Sequence, residues 1–239
     1  MVTRLDLPLT ELWPLLDRNA LYRVSWGARG LTGPAWEALV QEFDARLAAM
    51  AATASTYLEP AAVYALFPAH GEGESLILYA DAAGTQELAR FTFPRQSQGR
   101  RLCLADYFPP RSQAPGIAGL QVVTVGPGAT QRYSELEVAG EYSEAYFLHG
   151  LAAQVTEAAA EWTHRRINAG LGLPPDFGKR YSWGYPPCPD LRHHHLVWSL
   201  LEVEAHLGLR LTEAGQIMPE HSTAALVIPH PQAEYFAML

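Results

Sequence analysis

The chain has 239 residues, of which 25 are acidic and 17 basic, giving a formal net charge of −8. That balance argues against nucleic acid as a partner, because phosphate binding needs a basic surface, and no apolar run approaches the ~18 residues of a membrane span. The N-terminal MVTRLDLPLTEL lacks an apolar h-region and the only cysteines are Cys103 and Cys188, so neither a signal peptide nor a disulfide framework is expected, and a reducing cytoplasm is the expected compartment.

Residues 34–52 read as an amphipathic helix. Pro34 suits the first helical position, Thr32 or Gly33 can cap, and Trp36, Leu39, Val40, Phe43, Leu47 and Met50 recur at helical spacing. The stretch 61–125 holds short apolar runs at 63–67, 76–79, 88–93 and 120–125, separated by turn-forming segments. These read as strands, and the short turns favour antiparallel neighbours. The polar, proline-rich segment 94–116 reads as a long surface loop. Residues 141–168 read as the longest helix, stopped by Gly170 and Gly172 with Pro174 and Pro175 beyond. Asp190 is expected to cap a helix over 191–207 that ends at Gly208, and 224–228 read as a final strand. Strand runs flanked by helical runs, without repeat or linker, argue for one α+β domain.

Two motifs invite chemistry and do not sustain it. The run His193-His194-His195 does not have the i, i+3 or i, i+4 spacing that puts two imidazoles on one helix face, so a structural or surface role is expected. Gly126-Pro127-Gly128 resembles half a phosphate loop, but the third glycine is absent and no apolar helix follows at once, so a turn is expected. The segment 180–190, RYSWGYPPCPD, differs from both. Its prolines exclude a regular helix and stiffen an extended run. Its arginine offers a fork for a carboxylate, and its rings offer flat surface for a planar or cationic ligand. Composition alone leaves a proline-rich loop packed over the core equally open.

At this segment the sequence resembles the C-terminal activation domain of cobalamin-dependent methionine synthase, which binds S-adenosylmethionine. The family pattern R-P-A-P-G-Y-P-A-C-P-[DE] reads here R-Y-S-W-G-Y-P-P-C-P-D. Further matches follow in the family's order: LFPA at 66–69, CLAD at 103–106, EAAAEWTHRR at 157–166, and LLEVE at 200–204 with His206, Gly208 and LTE at 211–213. Pro219, Ser222 and His230-Pro231 follow its P-G-A-S…S-H-P. The resemblance covers about residues 15–239, so the whole chain, 1–239, is expected to be one activation-like domain. It departs from the family in having a shorter connection before Arg180, a loose match near Asp17 and no further C-terminal tail. It also lacks the cobalamin, folate and homocysteine modules, so a free-standing version of one module is expected.

The resemblance implies a single C-shaped α+β domain with a bent antiparallel sheet flanked by helices. It implies that Arg180 takes the carboxylate of S-adenosylmethionine and Asp17 its amino group or cationic end. Ser182 contributes through its backbone, Tyr235 and Phe236 contact the nucleoside, and Glu157 lies near the site. Tyr185 matches a tyrosine that reaches the corrin face, where its phenol can hydrogen-bond a water on cobalt. The implied function is reductive methylation of cob(II)alamin, which reactivates a cobalamin-binding methionine synthase chain with electrons from a flavodoxin-like donor. Cobalamin is supplied by that partner chain. The alternative expectation is a capping protein for a corrinoid protein that no longer uses S-adenosylmethionine.

Overall fold

The structure is a computed structural model and describes residues 1–238. In chain order the main elements are β1 (Thr3–Asp6), α1 (Leu9–Leu12), α2 (Arg18–Ala20), α3 (Gly33–Thr53), β2 (Ala61–Glu72), β3 (Ser75–Tyr79), β4 (Glu87–Thr92) and β5 (Gly116–Thr124). They continue with α4 (Gly128–Val138), α5 (Tyr142–Gly170), β6 (Lys179–Ser182), α6 (His193–Leu201), α7 (Val203–Leu207), β7 (Arg210–Leu211), β8 (Ile217–Met218) and β9 (Ser222–Ile228). One antiparallel sheet runs β4-β3-β2-β5-β9-β6, and β7 and β8 form a separate hairpin. The expected α+β class with an antiparallel sheet holds. Among the described residues no helix is long and apolar enough to cross a membrane.

β2 organises the sheet. Its first four residues pair with β1 on one side and its last four pair with β3 on that same side, while β5 runs along the other. Pro68, which has no N–H to donate, stands in the gap between the β1 and β3 partners. Strand alternation then separates two cores. Leu120 and Val122 of β5, with Ala224, Leu226 and Ile228 of β9, face a cluster completed by β4, α6 and α7. Val123 faces a second cluster built from α3, α5 and the N-terminal turns. Gln121 shares that second face. It is fully buried and donates to the Ala160 carbonyl at 3.0 Å, which ties α5 to the middle strand. Ala158, Ala159 and Ala160 let that helix come close.

Several expectations need correction. Residues 94–116 are not simply a surface loop, because Cys103, Leu104, Ala105 and Phe108 are buried in the first core around a short 3-10 turn, Leu104–Tyr107. A bidentate pair staples this excursion: Arg95 donates to Asp106 at 2.6 and 2.8 Å. Gly126 does turn the chain, with φ +81, but α4 follows directly from Gly128. Only Ala129 of α4 is buried, so its sequence carries no apolar stripe to read. The helix expected over 191–207 is interrupted at Glu202, which adopts a left-handed φ of 49 between α6 and α7. Asp190 does not cap α6, which starts at His193 with Arg192 at its N-cap and no side-chain cap hydrogen bond; Asp190 Oδ1 instead accepts the Arg192 amide at 3.0 Å in the turn ahead of the helix. In the histidine run, His194 is buried against the Gly215 carbonyl at 2.7 Å, and the His193 ring packs on Phe91 and Phe93.

The Arg95–Asp106 staple has a pH signature. The Arg95 guanidinium holds the Asp106 carboxyl below its ordinary range. Protons therefore bind the unfolded chain first, and the stability contributed is complete above the unfolded value of ~3.9 and is lost as pH falls through the lower folded value. Asp106→Asn is expected to flatten the acid limb of a plot of urea midpoint against pH below about 4, while moving the midpoint at pH 7 in the destabilising direction. An acid limb as steep as that of the wild type would refute the assignment.

Candidate functional site

The connection between α5 and β6 places the central arginine. Asn168, fully buried near the end of α5, donates to the carbonyls of Pro175 at 3.0 Å and Phe177 at 2.9 Å. The chain is thus folded back so that β6 pairs with β9, with Arg180 opposite Val227 and Ser182 opposite Ala225. Alternation puts Arg180 and Ser182 on one face of β6 and buries the intervening Tyr181. The Tyr181 hydroxyl donates to the Glu234 carbonyl at 2.7 Å, and its ring meets that of Tyr235 edge-on at 5.6 Å. That contact holds the C-terminal segment, with Tyr235 and Phe236, beside β6.

Beyond Ser182 the chain makes a braced turn. Gly184 has φ +92, a value that an L side chain rarely adopts, and its amide donates to the Cys188 carbonyl at 3.0 Å. The Cys188 amide donates back to Tyr185 at 2.9 Å, while Pro186 and Pro187 between them supply fixed φ and no donor. The Cys188 thiol donates to the Ser182 carbonyl at 2.8 Å, and burial pushes its pKa up to about 12, so it remains protonated at neutral pH. The prolines that excluded a helix thus serve a turn cross-linked by three hydrogen bonds.

A cavity of about 370 Å³ opens between these pieces, lined by Glu157, Arg180, Ser182, Tyr185, Tyr235 and Phe236 together with Tyr181 and the Pro186–Cys188 turn. Six of the seven residues singled out from the sequence therefore converge on one space. The seventh, Asp17, is not among the lining residues; its Oδ1 accepts the Ala20 amide at 2.8 Å and caps α2. Arg180 donates to Glu157 Oε2 at 2.8 Å across the α5–β6 interface, and its side chain is 15 % exposed. Its Nε is buried without a hydrogen bond, the nearest carboxylate being Glu161 at 3.9 Å. A guanidinium carries five N–H donors, so the Glu157 contact orients the fork and leaves donors over. Tyr185 and Tyr235, both lining the cavity, are largely exposed. The arrangement suits a ligand with a carboxylate at one end and a flat ring system at the other.

Comparison with known proteins decides the family. The sequence pattern of the vitamin B12 dependent methionine synthase activation domain matches residues 32–172 and 176–239. The chain belongs to this family. As an activation domain it is 35% identical, over 96% of its length, to methionine synthase of Mycobacterium leprae (strain TN), and 34% identical over the same share to that of Mycobacterium tuberculosis (strain ATCC 25618 / H37Rv). It spans 22% of the length of each of these relatives. Its fold superposes on a crystal structure of the MetH reactivation domain bound to AdoHcy with a TM-score of 0.85 and 25% identity, covering 100% of this activation domain and 81% of that chain.

Sequence reasoning missed residues that build the site from behind. Asn168 and Tyr181 touch the backbone that carries Arg180 and Tyr235; Asn168 lies outside the matched motifs, and Tyr181 lies inside the 180–190 segment without having been marked for this role. A buried asparagine just before a Gly/Pro stop is the signal that could have marked Asn168, since such a side chain must find backbone partners.

Proposed function

We propose that this activation domain binds S-adenosylmethionine in the cavity between β6, α5 and the C-terminal segment, and presents its methyl group to a cobalamin carried by a partner chain. The carrying observation is the convergence of Arg180, Ser182, Tyr185, Tyr235, Phe236 and Glu157 on one cavity of about 370 Å³ in a fold whose relative holds AdoHcy. Arg180, oriented by Glu157, offers its remaining N–H donors to the ligand's carboxylate. Tyr235 and Phe236 flank the nucleoside, with Phe236 keeping the ring and giving up a hydroxyl. Ser182 contributes backbone groups at the end of β6. The resemblance points to Asp17 for the ligand's ammonium, but Asp17 caps α2 outside the cavity lining and is not part of this proposal.

The sulfonium supplies a methyl cation equivalent to a reduced cobalt centre, and its S–C bonding pair stays on sulfur to leave a neutral thioether. This chain's residues supply placement and protection. Tyr185, largely exposed, is positioned to meet the corrin face. The rigid turn behind it spares the ordering entropy of a flexible loop. The Cys188 thiol lines the same cavity and would be a competing nucleophile as thiolate; burial and its hydrogen bond to Ser182 keep it protonated. No side chain needs to act as acid or base, so the work is orientation of donor and acceptor. The electron that reduces cob(II)alamin comes from a flavodoxin-like donor in this reading.

The test is titration calorimetry with S-adenosylmethionine, followed by methylation of cob(II)alamin on a cobalamin-bearing methionine synthase chain, read from its visible spectrum in the presence of a reductant. Saturable one-to-one binding and methylation that depends on this chain are expected. Complex formation with the cobalamin chain that ignores S-adenosylmethionine, with no binding at millimolar ligand, would favour the capping role instead.

A further inference from the structure

A second constellation lies beside the cavity and is not used by the proposed methyl transfer. His149 projects from α5, and Glu220 and His221 sit just before β9. His149 Nδ1 is 3.0 Å from Glu220 Oε1 and 3.2 Å from His221 Nε2, and His221 Nε2 is 3.6 Å from Glu220 Oε1. Three potential ligand atoms thus form a triangle with edges of 3.0 to 3.6 Å. A tetrahedral ion with bonds of ~2.0–2.1 Å holds its ligands about 3.3 Å apart, so the triangle already has the size of one face of such a polyhedron. Among the described residues this is the one grouping of three histidine, cysteine or acidic side chains with that convergence.

We propose that His149, Glu220 and His221 form a binding site for a divalent cation of the zinc class, with a fourth position open to water. Two imidazoles with one carboxylate suit zinc, cobalt or nickel; calcium and magnesium require an oxygen-rich set. The site is half built into the fold and half open. His221 is 4% exposed, and its carbonyl accepts from the Val125 amide at 3.2 Å and the Thr156 hydroxyl at 3.3 Å, which fixes its backbone. His149 and Glu220 reach it from the solvent side. The buried Nδ1 of His221 makes no hydrogen bond, so the ring proton placed there leaves the Nε2 lone pair for the cation. In a dedicated zinc site that N–H is tied to a carboxylate or carbonyl, and lacking it costs roughly 10–100-fold in affinity. The site is therefore an exchangeable one. The small hollow it lines shares Glu157, Ser182 and Tyr185 with the main cavity, so a bound cation would add positive charge at the edge of the trough.

The experiment uses tag-free, chelator-treated chain. Co²⁺ is titrated against visible absorption, with Zn²⁺ displacement read by the loss of that band, for wild type, His149→Ala, Glu220→Gln and, as a control for the histidine run, His195→Ala. One intense tetrahedral Co²⁺ band per chain is expected, displaced by Zn²⁺, weakened at least about tenfold in the first two variants and unchanged in the third. His149 and Glu220 are solvent-facing, so circular dichroism should show both variants folded. Absence of saturable binding up to millimolar Co²⁺ would overturn the proposal. So would binding that survives in both ligand variants or disappears with His195→Ala. None of these readouts depends on S-adenosylmethionine, so the metal site and the methyl-donor site stand or fall separately.

Discussion

Arg180→Ala is expected to weaken S-adenosylmethionine binding by about 100-fold while leaving the chain folded. A hydrogen bond to a charged group is worth roughly 1.5–3 kcal/mol, and the guanidinium is proposed to make more than one with the ligand's carboxylate. The variant also leaves the Glu157 carboxylate in the cavity without its 2.8 Å partner. An uncompensated anion would then face the anionic end of the ligand, adding repulsion to the lost attraction. Arg180→Lys should recover only part of the loss, because a point charge cannot hold Glu157 and the ligand in one planar fork. Calorimetry with S-adenosylmethionine and S-adenosylhomocysteine reads the effect, and both ligands should lose affinity alike, since the carboxylate is common to them. Wild-type affinity in Arg180→Ala, in a protein with a normal melting curve, would remove the guanidinium from the site. A loss confined to S-adenosylmethionine would likewise refute carboxylate binding by Arg180, because both ligands carry the carboxylate.

How much of this was legible in the sequence depends on where burial shows through. α3 and α5 carry apolar positions at helical spacing, and both ends of each fall within two residues of the expected bounds. β2 and β5 extend well beyond the apolar runs that marked them. Their extra residues, Pro68–Glu72 and Gly116–Gly119, are mostly small, polar or turn-forming and become strand by pairing with β3 and with each other. α4 was unreadable because a helix that buries one alanine has no stripe, and the break at Glu202 was unreadable because no glycine or proline marks it. The main site was legible through the family resemblance, which marked Arg180, Ser182 and Tyr185 in one motif and Glu157, Tyr235 and Phe236 elsewhere in the chain; composition alone left the stiff segment open between a site and a packed loop. The way Tyr181 joins that segment to the C-terminal pair, through a hydroxyl to Glu234, is a tertiary fact. The His149–Glu220–His221 triangle joins positions about 70 apart in sequence, and only the docking of α5 on β9 brings them together.

Gly178→Ala is expected to be among the most disruptive single-methyl changes in the chain, acting on stability and ligand binding together. Gly178 immediately precedes β6 with φ +69, where an L residue costs roughly 1–2 kcal/mol. A Cβ there would overlap the Ile228 carbonyl oxygen and lie 2.9 Å from the Pro229 Cα. Both are backbone atoms, so relief requires moving β6 away from β9, and Lys179 pairs with Ile228 at that first rung. The combined cost is expected to be about 3 kcal/mol, the range for strain at a special φ/ψ joined to broken packing. For a chain of this size that lowers the melting temperature by roughly 6–12 °C. Arg180 is two residues further on, so the displacement also moves the guanidinium relative to Glu157, and affinity for S-adenosylmethionine should fall at temperatures where the variant is still folded. Gly170→Ala is the matched control. It lies in the last turn of α5 with nothing within 4 Å of an added Cβ, and it should be neutral or stabilise the helix by up to ~1 kcal/mol. Melting curves and calorimetry on the two variants separate the outcomes. If Gly178→Ala melts and binds like Gly170→Ala, then β6 is not held against β9 at this point, and the placement of Arg180 in the cavity loses its structural basis.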